Sequence, residues 1–186
     1  MDALIALETR RSSNLLCEPA PTAEQLEHIV KAGLRACDHK NLRPWEFLII
    51  SGDARVAFGE LMVKAKAAAD GNRLSADLAE KLRKKPMRAP TIIAVVAKIQ
   101  EHIKVPELEQ LLSAGAAAQM MMTSAYAQGL GAIWRSGSIM FRAEMRNGLG
   151  LENTDQIVGF IYLGTSKSNK PCPQLNTSDY TRQWNA

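Results

Sequence analysis

The chain has 186 residues, 46% hydrophobic and 23% charged, with a formal net charge of +4. Domains commonly run ~100–200 residues, so this length suits one domain with a sizeable core, and the composition excludes a disordered or fibrous chain. Lys and Arg are interspersed with acids rather than gathered in a block, so the positive balance suits an anionic ligand and does not demand nucleic acid.

The three cysteines, Cys17, Cys37 and Cys172, are odd in number and lack a C-x-x-C spacing. Neither a disulfide framework nor a metal cluster is indicated, and a reducing compartment fits. The start, Met1-Asp2-Ala3-Leu4, carries an early acid and no apolar signal core. No run of ~20 apolar residues is present to span a bilayer, so a cytoplasmic protein that does not engage the membrane is expected.

In chain order, residues 2–9 form a short helix with Leu4, Ile5 and Leu7 on its apolar side, leading into an Arg10-Arg11-Ser12 turn. Thr22-Ala23-Glu24-Gln25 reads as a capping box opening a second helix that ends near Arg35 or Ala36. Residues 46–51 form a buried strand, followed by helices over 54–69 and 75–84 separated by Gly71 and Asn72. Asp77, Glu80, Lys81 and Lys84 mark a solvated face, and this region is the expected lid or mobile edge. Residues 91–97 form a second buried strand after Pro90. Pro106 starts the longest helix, 107–128, with acids in its first turn and Gly129 as its stop. Its middle is apolar or small nearly all round, which requires burial in a core or against a partner. Strands over 131–135 and 156–163 flank a short helix at 142–148. From about 165 to 186 the chain is polar, with Trp184 near its end, and lacks the means to form a core of its own.

This order predicts a single α+β domain over residues 1–186, with helices flanking a central mixed or antiparallel sheet of about four strands. No G-x-G-x-x-G follows a first strand and no P-loop is present, which argues against a dedicated dinucleotide domain.

Three segments carry chemistry. Arg10, Arg11 and Ser12 offer planar guanidinium forks and a hydroxyl, the groups that bind a phosphate, although a basic pair is more often simply solvated. Arg35 and His39 flank a helix end, where a solvated or capping role is the ordinary one. Trp134-Arg135-Ser136-Gly137 closes a strand, either a packed end with an exposed Arg or a ligand contact. Cys37-Asp38-His39 is a poor thiol dyad, because adjacent residues on a turn seldom face each other. Met120, Met121, Met122 and Tyr126 read as core or interface filler.

Taken in order, Arg10-Arg11-Ser12, Pro44-Trp45-Glu46-Phe47, Gly129-Leu130-Gly131 with Trp134-Arg135-Ser136-Gly137, and the late Val158–Gly164 segment resemble the FMN-dependent NAD(P)H nitroreductases, in particular their short, YdjA-like branch. The likeness runs nearly end to end. It implies a nitroreductase fold with the long helix at the interface of a homodimer, and FMN bound there. It assigns Arg10, Arg11, Ser12, Trp134, Arg135 and Ser136 to FMN, and Arg35 and His39 to the FMN of the opposite subunit. It places NAD(P)H at Ser124, Ala125, Tyr126, Ala127, Gln128 and Gly129. The implied chemistry is a ping-pong transfer from NAD(P)H through flavin N5 to an electron-poor acceptor such as a nitroaromatic or quinone, with no catalytic side chain and no metal. A non-catalytic flavin-binding protein would share these residues. The chain departs from the family at Asn14, where a basic residue is usual, at Cys37 for Pro and at Arg43 for Gln. With Asn14 uncharged, Arg135 becomes the candidate for stabilising negative charge on the flavin.

Overall fold

A strand that is apolar at every position has to be covered on both faces, and Thr91–Ala97 is such a strand. In the computed structural model, which describes residues 1–71, 73–167 and 171–185, all seven of its residues are buried. The helices are α1 (Ala3–Thr9), α2 (Ala23–Gly33), α3 (Ala54–Ala69), α4 (Ala76–Lys84), α5 (Glu107–Ala127) and α6 (Ala143–Gly148). The strands are β1 (Leu16–Cys17), β2 (Trp45–Ser51), β3 (Thr91–Ala97), β4 (Gly131–Arg135) and β5 (Gln156–Ser166).

All pairings are antiparallel. β3 lies between β2, in register from Trp45↔Ala97 to Ser51↔Thr91, and β5, from Thr91↔Leu163 to Ala97↔Gln156, with a bulge between Val95 and Val96. β4 takes the other edge of β5, from Gly131↔Gly164 to Arg135↔Phe160. Alternation along β3 then divides the core. Ile92, Ala94 and Val96 join Phe58, Met62, Leu82, Phe160 and Tyr162 beneath α3 and α4. Ile93, Val95 and Ala97 join Ile29, Ala118, Met121, Ala125 and Ile161 beneath α2 and α5. The result is helices, sheet, helices in three layers, as the α+β reading expects.

Several expectations shift in detail. α2 opens on the anticipated capping box, with Thr22 and Gln25 each accepting the other's backbone N–H, but it ends at Gly33. A Cβ there would lie 2.6 Å from Met121 Cε, so the glycine is where α2 crosses close over α5. β1 is an unpredicted strand, and its pairing of Leu16 with Ser166 and Cys17 with Thr165 carries β5 beyond residue 163. The polar tail therefore begins two residues later than expected. The segment read as a lid is a packed wall, since Ala79 and Leu82 of α4 are buried against α3. Its charges do face outward, paired as Lys81–Asp77 and Lys84–Glu80. α5 is buried on one face only: Leu108 and Leu112 are 65% and 63% exposed. In the tail Leu175, Tyr180 and Trp184 are likewise exposed. Among the described residues no helix is long and apolar enough to cross a membrane.

Candidate functional site

The Arg10-Arg11-Ser12 turn is built onto the end of the sheet. Asp2 caps α1 by accepting the Leu4 and Ile5 N–H groups, and Arg10 N–H still donates to Ala6 O at 3.1 Å. The chain then leaves the helix and is stitched down: Ser13 N–H donates to Ala132 O of β4 at 2.8 Å, and the Ser13 and Ser166 hydroxyls meet at 2.7 Å. Lys167 N–H returns to Leu15 O at 3.0 Å. On this base Arg11 donates from Nη1 to the Tyr126 hydroxyl at 3.0 Å, beside a cavity of about 260 Å³ bounded by Ser12, Ser13, Tyr126 and Gly129. Arg10 Nη1 is buried without a hydrogen-bond partner.

β4 carries the second group. Its alternation sends Ile133 to the α3 side and Trp134 to the α5 side. Arg135 follows Ile133 and lies over the Tyr162 ring, 5.5 Å from its centroid. Arg135 Nε is also buried and unpartnered. Trp134 fits because β5 has no side chain beneath it: a Cβ on Gly159 would fall 2.1 Å from the indole Nε1. Trp134, Arg135 and Ser136 border a cavity of about 490 Å³ walled by Met62, Leu78, Leu82, Phe160 and Tyr162. The charged residues lining it are Lys66, Lys85, Arg88 and Arg135, and no carboxylate is among the lining groups. Burial, with Arg88 and Arg135 adding like charge, pushes the Lys85 ammonium below its ordinary value. Burial pushes the Tyr162 phenol up to about 12, against the opposing influence of Arg135 and Arg88. Both shifts fit a partly buried, positive cavity that favours an anion.

Arg35 and His39 lie elsewhere. Arg35 lines a third cavity of about 640 Å³ with Lys31, Asp38, Arg43 and Trp45, which shares no lining residue with the other two. His39 Nδ1 meets Glu109 Oε2 at 2.7 Å. The loop that follows His39 holds Lys40, Asn41 and Arg43 at φ of 64°, 55° and 50°, a left-handed backbone that side chains other than glycine rarely adopt. Asp38 supports it by accepting the Leu42 and Arg43 N–H groups. One chain thus brings Arg11, Ser12 and Tyr126 together, and Trp134, Arg135 and Ser136 together, while Arg35 and His39 belong to neither group.

Residues 7–165 match the Nitroreductase family. The chain belongs to that family. It is 46% identical over 181 residues to YdjA of Escherichia coli strain K12, a protein named for NAD(P)H nitroreductase activity, with 97% of each chain covered. In structure it is similar to a nitroreductase-like family protein from Bacillus cereus, with a TM-score of 0.83 at 18% identity, over 100% of this chain and 97% of that one. It is also similar to a Desulfovibrio desulfuricans protein named as a nitroreductase and crystallised with FMN, with a TM-score of 0.73 at 23% identity over 100% and 98%.

In this nitroreductase-family chain the segment assigned to the nicotinamide nucleotide is largely engaged by its own fold. Ser124 donates to His28 O at 3.3 Å, Gln128 donates to Gln25 O at 3.3 Å, and Ala125 is fully buried. Gly129, at φ +80°, makes the turn from α5 into β4. Sequence reasoning missed Lys85 and Arg88. The available signal was their placement around the buried Pro86, directly before the fully buried β3; there Lys85 is half-buried and Arg88 is exposed.

Proposed function

We propose that this protein is an FMN-dependent NAD(P)H oxidoreductase of the nitroreductase type, a cytoplasmic homodimer with FMN in its interface, whose acceptor is a small electron-poor compound such as a nitroaromatic or quinone. One observation carries the reading. Among the described residues only three buried side-chain polar atoms lack a hydrogen-bond partner, and two of them belong to Arg10 and Arg135. Buried polar groups are otherwise almost always bonded, so such donors mark places where an acceptor belongs. FMN presents a phosphate dianion and a ring that becomes negative on reduction, and the two sites match these in kind.

Bound FMN supplies the hydride-accepting and hydride-donating chemistry. The chain binds and orients it. Arg10, Arg11 and Ser12 hold the phosphate through charge-assisted hydrogen bonds. Trp134, Arg135 and Ser136 border the ring, and Lys85, Arg88 and Arg135 favour negative charge there in place of the basic side chain absent at Asn14. Arg35 and His39, which line neither the Ser12 cavity nor the Arg135 cavity of their own chain, would reach the flavin of the partner. The exposed Leu108 and Leu112 of α5 and the exposed aromatics of the tail are covered in the dimer. NAD(P)H and acceptor would use one position beside the flavin in turn.

Anaerobic titration of the flavin-loaded protein with NADH and NADPH tests this. Bleaching of the flavin absorbance and parallel double-reciprocal lines at several acceptor concentrations are expected. Failure of both reductants to bleach bound FMN makes the protein a flavin-binding protein without turnover. Failure to bind FMN at all removes the reading. Arg10→Ala weakens FMN binding about tenfold, the equivalent of ~1.4 kcal/mol.

A further inference from the structure

Tyr126 stands in the segment that family resemblance gives to the nicotinamide nucleotide, yet its hydroxyl is engaged in a different task. Thr9 donates its hydroxyl hydrogen to Ile5 O at 2.5 Å, which leaves the Thr9 oxygen as an acceptor. Tyr126 OH lies 3.1 Å from that oxygen and therefore donates to it. The same phenol oxygen accepts from Arg11 Nη1 at 3.0 Å, while the Arg11 guanidinium lies 5.6 Å from the Tyr126 ring centroid. The order of donors is then fixed from end to end: Arg11 to Tyr126, Tyr126 to Thr9, Thr9 to the α1 backbone.

We propose that Tyr126 is a positioning residue for the phosphate cradle, holding Arg11 at the angle from which its remaining N–H groups face the anion. The inference rests on the FMN reading and names the residue through which one of its ligands acts. An arginine side chain free in water loses much rotamer freedom when it clamps a phosphate, and a residue that orders it beforehand lowers that cost. Tyr126 occupies one donor of the guanidinium and leaves the others. Its position in the last turn of α5 couples the cradle to the helix, and Thr9 couples it to α1.

Titration of the apoprotein with FMN and with riboflavin, which has the same ring and no phosphate, tests this by flavin fluorescence. Tyr126→Phe keeps the ring and removes the hydroxyl. It should weaken FMN about tenfold, or ~1.4 kcal/mol, and leave riboflavin affinity unchanged. Thr9→Val should move FMN affinity in the same direction by a smaller factor, and the double variant should bind FMN no more weakly than Tyr126→Phe alone, because the two groups act in series. The KM for the nicotinamide nucleotide should stay constant in both. Unchanged FMN affinity, or equal loss for FMN and riboflavin, overturns the proposal, the second by showing a merely structural role. A raised nucleotide KM at constant FMN affinity overturns it in favour of a direct nucleotide contact. If the wild-type protein binds riboflavin and FMN equally well, the phosphate cradle itself is wrong. If it binds neither, the FMN reading falls as a whole.

Discussion

Trp134 lies between two glycines, and they are not equivalent. A Cβ on Gly159 would sit 2.1, 2.7 and 3.0 Å from the indole Nε1, Cδ1 and Cε2. Ordinary carbon contacts are ~3.5–4.0 Å, so the indole has to move by about 1.5 Å. Gly159 is held in the ladder opposite Val95, which keeps the backbone from yielding, and α5 stands on the far side of the ring. Overpacking of this kind costs ~1–3 kcal/mol, and the rigidity of both neighbours argues for about 3. For a chain of this size that lowers Tm by about 6–12 °C. Gly115 supplies the control, because its Cβ would lie 3.8 Å from Trp134 Cη2, a normal contact. Replacing a mid-helix glycine by alanine relieves ~0.5–1 kcal/mol of backbone entropy, so Gly115→Ala should raise Tm by about 1–4 °C. Thermal unfolding of both apoproteins, followed by far-ultraviolet circular dichroism, measures the contrast. A Gly159→Ala protein that melts with the parent, or a Gly115→Ala protein that falls as far as Gly159→Ala, refutes the packing argument.

Thr22→Ala removes one half of the α2 capping box and should cost ~1 kcal/mol, read as a drop of about 2–4 °C in Tm. Lys85→Met should stabilise the apoprotein yet weaken FMN about threefold to tenfold, ~0.7–1.4 kcal/mol, so that thermal shift and affinity move in opposite directions. In the parent, the folded Lys85 value is lowered, so the penalty it imposes is full at neutral pH and fades as pH rises through that value toward the unfolded one. Lys98 behaves oppositely: its hydrogen bond to Asp155 raises it, so its contribution is complete below the unfolded lysine value of ~10.4 and disappears as pH climbs through the higher folded value. Lys98→Met leaves the Asp155 side chain, 2% exposed, with only the Glu152 N–H. That should cost about 3 kcal/mol at neutral pH, and the gap from the parent should narrow above pH ~10.4 in denaturant melts.

Elements with an unbroken apolar run or firm end signals were legible in the sequence. β3 and β4 lie where an unbroken apolar run and a glycine-bounded strand predict them, and α3 and α5 follow their caps and stops to within a residue. The two-residue β1 escaped because it has no period of its own and exists only through its pairing with β5, Leu16 with Ser166 and Cys17 with Thr165, 150 and 148 positions away in sequence. The site was legible in its residue types and less so in its directions. Arg10, Arg11 and Ser12 announce anion chemistry, but only the paired strands reveal that Arg135 turns onto Tyr162 while Trp134 turns to the other face. Lys85 was hidden because a lysine beside a proline reads as solvent-facing, and only the fold shows that this C-cap of α4 lines the same cavity as Arg135.

The closure of β1 on the end of β5 also bears on how the protein comes into being. Ser13 and Ser166, 153 residues apart, have to meet before the Arg10–Ser12 turn is held in place. On a ribosome the strand that completes the geometry of this turn emerges only after about 150 further residues. Contacts so distant in sequence form late and slowly, after the local helices. A ligand held by that turn therefore recognises the finished chain and not its intermediates, and at a hundredfold excess over its dissociation constant it adds ~2.7 kcal/mol to the folded state alone. If FMN is held at this turn as proposed, cofactor supply becomes a term in the survival of newly made protein, with α1 acting as a latch that β5 closes and the ligand locks.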